Sequence, residues 1–409
     1  MQDKERKKIL TILGKTPAMS HTDQNFYHGR LKHYPPDATP KTTWKSSQPP
    51  RMGSSSWLTA SEFCDKPRIL ADKVQYLARL LLCSKKTVVY SGAGISTSSG
   101  VHQTAKGKTG RSKSLGYQSD AEPNITHYAL STLINQNLVQ SWVQLNYDGL
   151  AQKAGCPQSA INEVHGSWYD PSNPVLKSKG MIREDLFDRM VGDSETADLV
   201  LALGTSLRGT SCDVVAQASA ERSLDGRSLG TVIISLQQTS MDGVATIRIF
   251  SIIERVLKML MKTLDIQLSI PKTPFKIINH ARVPFNKNGE RSETKTIYIN
   301  LSPGQRVRLN ANHNCRGSLQ PTKSHIQGAE SVGVGRVMRY SPGQMAWEME
   351  IEGTKMLLGC WWVESAVKGL IKTLPVLNTM PMEEDISKKK EENKVGKESK
   401  EGCETKASK

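Results

Sequence analysis

One apolar segment that leads directly into a glycine-rich turn restricts the possible folds of this chain more than any other feature. Residues 87–91 have the length and composition of a buried β-strand, and Gly-Ala-Gly-Ile-Ser follows from Gly92 onward. Such a turn lets backbone N–H groups approach a pyrophosphate where a helix begins. A glycine pair after a strand is more often only a tight turn, so the interpretation depends on the rest of the chain.

Three further apolar segments, at residues 142–145, 199–203 and 232–236, also have the length of buried strands. Ligands of parallel α/β sheets bind at the carboxyl ends of the strands. We therefore expect the residues at the ends of these segments to share one site with the glycine turn. These residues are Asn146, Asp148, Gly204, Thr205, Ser206, Ser235 and Leu236.

Segments with helical periodicity alternate with the predicted strands. Pro67 suits the first position of a helix, and leucine and valine residues recur after it at intervals of three or four. Strands that alternate with helices predict an α/β fold with a doubly wound, parallel, Rossmann-like sheet. The helical segments are residues 67–81, 125–138 and 252–264, the last with Lys258 and Lys262 facing outward.

Together with Glu-Val-His-Gly at residues 163–166, these segments resemble the sirtuin family of NAD-dependent protein deacylases. The resemblance covers residues 65–268. It implies a sirtuin-like NAD-binding domain that removes acyl groups from protein lysines, transfers them to ADP-ribose and releases nicotinamide. Acylated protein lysines, histones among them, are the implied partners. A related ADP-ribosyl transfer is a variant of the same chemistry.

The resemblance also implies roles for individual residues. His165 is expected to act as the general base on the ribose hydroxyls, and the pKa range of histidine suits this role. A histidine taken alone is more often a packed or surface residue. Asn146 and Asp148 are expected to hold the nicotinamide end of NAD and complete the catalytic set. The expected cofactor-binding residues are Gly92, Ala93, Gly94, Ile95, Asn146, Asp148, Gly204, Thr205, Ser206, Ser235 and Leu236.

Two departures from the family pattern affect the expected chemistry. Residues 101–107 replace the family's Pro-Asp-Phe-Arg-Gly and contain neither Phe nor Arg. The two Cys-x-x-Cys pairs that hold zinc in sirtuins are absent, and residues 168–174 contain no cysteine. A tetrahedral Cys₄ site requires four thiolates, so we expect a reduced small lobe, NAD as cofactor and no structural zinc. A catalytically impaired module that binds NAD or ADP-ribose is therefore an alternative function.

The pattern changes after residue 268. Short alternating or apolar segments, separated by Pro-Gly turns, predict a small β domain over residues 269–382, either a barrel or a sandwich. Residues 355–363 are a further predicted strand. Its aromatic residues either pack in a core or form a stacking surface, so an interaction protein that acts through this domain is another alternative. These residues are Tyr340, Trp347, Trp361 and Trp362.

Both ends of the chain are polar. Residues 1–64 are predicted to be a basic, mostly irregular extension, and residues 383–409 a disordered charged tail. The formal net charge of +16 favours an acidic partner, although basic tails that only aid solubility would give the same value. We therefore expect at most weak nucleic-acid contact through the tails.

The sequence favours an intracellular protein without membrane contact. Seven cysteines, an odd number, are scattered along the chain, which is typical of a reducing compartment. Neither a secretory signal nor an apolar run long enough for a membrane helix is recognisable. Lys388-Lys389-Lys390 is a weak candidate for nuclear import, so the expected location is the nucleus or the cytoplasm.

Overall fold

The computed structural model describes residues 2–50, 55–101, 121–176, 180–310 and 333–379. The predicted disordered tail at 383–409 lies outside these residues. So does most of the segment at 101–107, where the sequence departs from the sirtuin pattern.

The first segment of the chain is more ordered than its sequence predicts. It contains helix α1 (Gln2–Lys15) and strands β1 (Lys41–Trp44) and β2 (Glu62–Cys64). Ile9 and Leu13 of α1 are buried in the main core. The expectation of a mostly irregular extension over residues 1–64 is thereby corrected. The apolar residues of this helix are confined to positions 9–13 and follow a run of charged residues, so they give little helical signal, and tertiary packing stabilises the helix instead.

Six parallel strands form the central sheet of the next part of the chain. Their order is β5-β4-β3-β6-β7-β8, so the chain adds strands outward from β3 in one direction and then outward from β6 in the other. This is the order of the doubly wound nucleotide-binding fold. The strands are β3 (Thr87–Ser91), β4 (Ser141–Gln144), β5 (Ile161–Glu163), β6 (Leu199–Leu203), β7 (Gly230–Ile234) and β8 (Ile247–Ile249).

Helices pack against this sheet, and the predicted α/β class is confirmed. Pro67 occupies the first turn of α2, as expected, and Lys258 and Lys262 of α7 are exposed. The side chains at the predicted helical spacing are buried, because they face the sheet. The helices are α2 (Pro67–Cys83), α3 (Ile125–Asn135), α4 (Leu150–Lys153), α5 (Glu184–Thr196), α6 (Val214–Leu224) and α7 (Ile253–Thr263).

Antiparallel strands follow after residue 268. Five of them form an open sheet of order β14-β13-β12-β11-β15, and β9 pairs with β10. Both sheets and one helix contribute to a second core. The elements are β9 (His280–Val283), β10 (Ile297–Asn300), β11 (Arg306–Leu309), β12 (Val334–Ser341), β13 (Ala346–Ile351), β14 (Thr354–Gly359), α8 (Cys360–Val367) and β15 (Val376–Asn378). We refer to residues 269–379 as the β domain.

The tryptophans of the β domain do not form a stacking surface. Trp347 and Trp361 are fully buried, and Trp362 is almost so. The predicted strand over residues 355–363 is corrected as well, because the chain leaves β14 at Gly359 and begins α8 at Cys360. A continuous apolar segment suits a buried strand and a buried helix equally, and packing selected the helix here.

Candidate functional site

The loops after the two middle strands, β3 and β6, meet at the point where the strand order of the sheet reverses. The N–H of Gly94, after β3, donates to the carbonyl of Gly204, after β6, at 2.9 Å. A Cβ atom on Gly94 would lie 2.6 Å from Cα of Gly204, and Gly204 has a φ of +58°. Both glycines are therefore required for the loops to approach each other. The sequence predicted the glycine turn, although not this contact between loops.

A cavity of about 350 Å³ opens beside this contact. Its lining includes Gly94, Gly204, Thr205, Ser206, Ser235 and Leu236, six of the predicted cofactor-binding residues. The other five predicted residues do not line it: Gly92, Ala93, Ile95, Asn146 and Asp148. Crevices at this point of doubly wound sheets bind nucleotides, so the position supports a nucleotide site.

The cavity also contains residues that sequence reasoning missed. Glu62 of β2 and Glu254 of α7 supply two carboxyl groups, and Ser98, Gln237 and other polar residues supply hydrogen-bonding groups. Neither lysine nor arginine is found among the lining residues that the structure describes. Glu62 lies 30 residues before the glycine turn in the sequence but pairs with Gln237 in the structure, so no local motif could indicate it.

A buried polar cluster lies at the ends of β3 and β4. The hydroxyl of Ser96 donates to Oδ2 of Asp148 at 2.7 Å, and Nδ2 of Asn146 donates to Oγ of Ser96 at 2.9 Å. Oδ1 of Asp148 also accepts from the N–H of Leu150 at 3.1 Å, which fixes the start of α4. The structure thus brings the predicted Asn146 and Asp148 together and holds both side chains in place.

His127 is the member of this cluster that the sequence did not reveal. Its Nε2 lies 3.3 Å from Oγ of Ser96, and the ring is fully buried. Burial lowers the pKa of His127 to about 4, against the opposing charges of Asp148 and Glu254. The imidazole is therefore neutral at neutral pH and serves as a hydrogen-bonding group of the cluster rather than as a cation.

His165 follows β5 at the carboxyl end of the sheet, and the residue is half-buried. Its Nε2 lies 3.6 Å from Sγ of Cys212, and the carbonyl of Leu145 accepts a hydrogen bond from the ring. Burial lowers the pKa of His165, while the Leu145 carbonyl and the charge of Asp213 oppose that effect. A neutral imidazole held between two loops is suited to accept a proton.

Asp213 fixes the turn that places Cys212 beside His165. Its Oδ2 accepts from the N–H groups of Gly209 and Thr210, each at 2.8 Å, and its Oδ1 accepts from the Tyr90 hydroxyl at 2.8 Å. This carboxyl group is almost fully buried. Asp213 and Cys212 were not predicted, because they come from a segment without a recognisable motif.

The loop after His165 is held together by polar contacts. Oδ1 of Asp170 accepts from the N–H and the hydroxyl of Ser172 at 2.9 and 2.6 Å, and Arg183 lies 3.7 Å from the other oxygen of Asp170. Within the described ranges, no group of three or more His, Cys, Asp or Glu side chains is placed to hold a metal. The side chains of this loop do not fit a thiolate zinc site, and the absence of zinc from the protein stays a prediction.

Comparisons with known proteins agree with the sirtuin resemblance. No protein-family model matches the chain. The human NAD-dependent protein deacetylase sirtuin-7 is 42% identical over 115 residues, which are 26% of this chain and 29% of that protein. The Arabidopsis thaliana deacetylase SRT1 is 28% identical over 255 residues, or 51% of this chain and 52% of SRT1. An NAD-dependent protein deacetylase of Saccharolobus solfataricus is 28% identical over 225 residues, which are 41% of this chain and 88% of that protein.

The fold and the cavity define a doubly wound α/β domain of the nucleotide-binding class. The predicted resemblance to sirtuins is confirmed by these relatives. The chain spans less than a third of the sirtuin-7 sequence and about half of SRT1. A solved Sir2 enzyme is matched at a TM-score of 0.41 and 20% identity over 47% of this chain and 98% of that structure. Among the described residues, no helix is long and apolar enough to cross a membrane.

Proposed function

We propose that residues 65–268 bind NAD and transfer an acyl group from a protein lysine to ADP-ribose, with release of nicotinamide. One observation carries this proposal: motifs from the ends of four strands lie around one cavity and the adjoining polar cluster. The names of the relatives, all NAD-dependent protein deacetylases, support the same activity.

Each group of residues has a distinct part in the proposed reaction. Bound NAD would supply an electrophilic ribose carbon and a nicotinamide leaving group. Thr205 and Ser206 offer hydroxyl and N–H donors, and Ser235 offers its hydroxyl, to phosphate and ribose oxygens in the cavity. Asn146 and Asp148, immobilised by Ser96, orient the nicotinamide end. His165, neutral at neutral pH, takes up a proton from a ribose hydroxyl.

The substitution His165→Ala tests this assignment. We expect formation of the acyl-transfer product from NAD and an acyl-lysine peptide to fall by about 10²–10⁴-fold, the usual contribution of a general base, because His165 acts on the ribose hydroxyl. Binding of ADP-ribose, measured by calorimetry, should be retained, because His165 does not line the cavity. His33→Ala, which removes an exposed histidine, is the control. An unchanged rate in His165→Ala would place the chemistry on another residue.

Two observations favour a second candidate, a module that binds NAD or ADP-ribose without turnover. Cys212 already contacts Nε2 of His165, and residues 101–107 contain neither the Phe nor the Arg of the family pattern. Tight binding of ADP-ribose without nicotinamide release from NAD, in the presence of acyl-lysine peptides, would establish this candidate. Absence of binding to the folded protein at millimolar ligand would exclude both candidates.

We further propose acylated lysines, including those of histones, as substrates, with a nuclear location and weak nucleic-acid contact through the tails. The net charge of +16 supports contact between the chain and an acidic partner, although residues 383–409 hold as many acidic side chains as lysines, eight of each. Tail-dependent binding should weaken steeply as salt increases, because each phosphate contact releases counterions. Equal affinity in a chain trimmed of residues 383–409 would place the basic surface on the folded part.

A further inference from the structure

Tyr169 connects the β domain to the polar cluster of the candidate site. It comes from the loop after His165, yet it belongs to the core of the β domain. Its ring lies 5.2 Å from that of Trp361, the N–H of Gly359 donates to its carbonyl at 3.1 Å, and its hydroxyl lies 3.4 Å from Oε1 of Gln344. The β domain therefore holds this residue through its ring, its backbone and its hydroxyl.

The Tyr169 ring also packs against the turn that carries Asp148. A Cβ atom on Gly149 would lie 2.5 Å from a carbon of this ring, so the glycine is required for the contact. Nζ of Lys153, on the following helix α4, lies 5.2 Å from the ring centre. One fully buried side chain thus touches the β domain and the Asn146–Gly149 turn at once.

The residue before Tyr169 repeats this connection. The N–H of Trp168 donates to the carbonyl of Tyr147 at 3.0 Å, and the two rings lie 5.0 Å apart. The Asn146–Gly149 turn is therefore enclosed by the 168–169 pair, which in turn is held by the β domain. Protein interiors are packed as densely as organic crystals, so a displacement of one side chain is passed on to the side chains that it touches.

We propose that Tyr169 is a positioning residue through which the β domain holds the Asn146–Gly149 turn in its binding conformation. In this arrangement the β domain is part of the candidate site and not an independent interaction module. The loop that carries Tyr169 contains no thiolate pair that could fix it by a metal, and packing against Trp361 supplies that constraint instead. The effect of Tyr169 on the turn does not depend on what the protein binds, and only its expected effect on NAD affinity rests on the proposed function.

Amide hydrogen exchange of the full chain tests the connection without reference to activity. In Trp361→Ala we expect the amides of Trp168 and Leu150 to exchange about tenfold faster or more, because the support of Tyr169 is lost. Trp361→Phe should restore protection, since it keeps an aromatic ring. Amides of β6, remote from the β domain, should not change. If β13 loses protection in Trp361→Ala while Trp168 and Leu150 keep theirs, the proposal is wrong.

A second variant and a ligand readout complete the test. Tyr169→Leu keeps an apolar side chain but removes the ring that touches Gly149, and it should loosen the Leu150 amide even where Trp361→Ala does not fold. In either variant, affinity for NAD should fall about tenfold while affinity for ADP-ribose stays, because only NAD reaches the nicotinamide end. Equal losses for both ligands would contradict a local effect on the turn. If the wild type binds neither ligand, the proposed function fails, and hydrogen exchange alone still decides the coupling.

Discussion

Glu163 lies two residues before His165 and should make the stability of the protein depend on pH. It is the last residue of β5, and its almost fully buried carboxyl group accepts a hydrogen bond from Nε2 of Gln158 at 3.4 Å. Burial raises the pKa of Glu163 from 4.5 to about 7, the charge of Asp170 adds to the rise, and hydrogen bonds from Ser167, Gln152 and Gln158 oppose it only in part.

The sign of the effect follows from the two pKa values. The folded protein holds this proton more tightly than the unfolded chain, so the stability from Glu163 is fully present below pH 4.5. It is lost as the pH rises through about 7. At 1.36 kcal/mol for each pKa unit, the loss amounts to about 3 kcal/mol.

Glu163→Gln removes the titration while it preserves the shape of the neutral acid. Urea unfolding at pH 4.5 and pH 8 should show that the variant gains about 3 kcal/mol relative to wild type between these two values. Glu184→Gln, at an exposed position of α5, should show no such change. A difference between Glu163→Gln and wild type that is the same at both pH values would refute the reasoning, because only the titration varies with pH.

Two further predictions concern the loops of the site. Asp213→Asn removes the charge that supports the protonated form of His165, so the pKa of His165 should fall further, as an NMR titration of its ring protons would show; an unchanged midpoint would mean that Asp213 only holds the turn. Gly94→Ala should destabilise the protein by about 1–3 kcal/mol through the clash with Gly204, measured by urea unfolding. Gly192→Ala, at an open position of α5, should instead stabilise by about 0.5–1 kcal/mol, and equal effects of the two alanines would contradict the contact.

The sequence predicts the strands of the parallel sheet better than the rest of the chain. Leu199–Leu203 is buried on both faces, and its short apolar segment has the length of a strand rather than of a helix. Asn146 and Asp148 were found because both follow the same strand. His127 and Glu62 were missed, because each reaches its cluster through tertiary contacts between distant segments. Trp361 was placed on a strand, since composition alone does not separate a buried strand from a buried helix.

The same limit applies to the domain organisation. A change of pattern after residue 268 indicates a new β region, and the structure has antiparallel sheets there. Pattern alone gave no reason to expect that Tyr169, about 100 residues earlier, would enter the core of that region. The interaction depends on shape complementarity between two folded surfaces, and this has no periodic trace in a single sequence.

The N-terminal segment also gives the parallel sheet a closed border. The carbonyl of His28 accepts from the N–H of Arg248 in the outermost strand β8, and the N–H of Leu31 donates to Thr246 beside it, each at 3.0 Å. An uncovered strand edge is a template for pairing with other chains. A chain shortened to begin at residue 65 would expose this edge and lose Glu62 from the cavity lining, so we expect it to self-associate into oligomers.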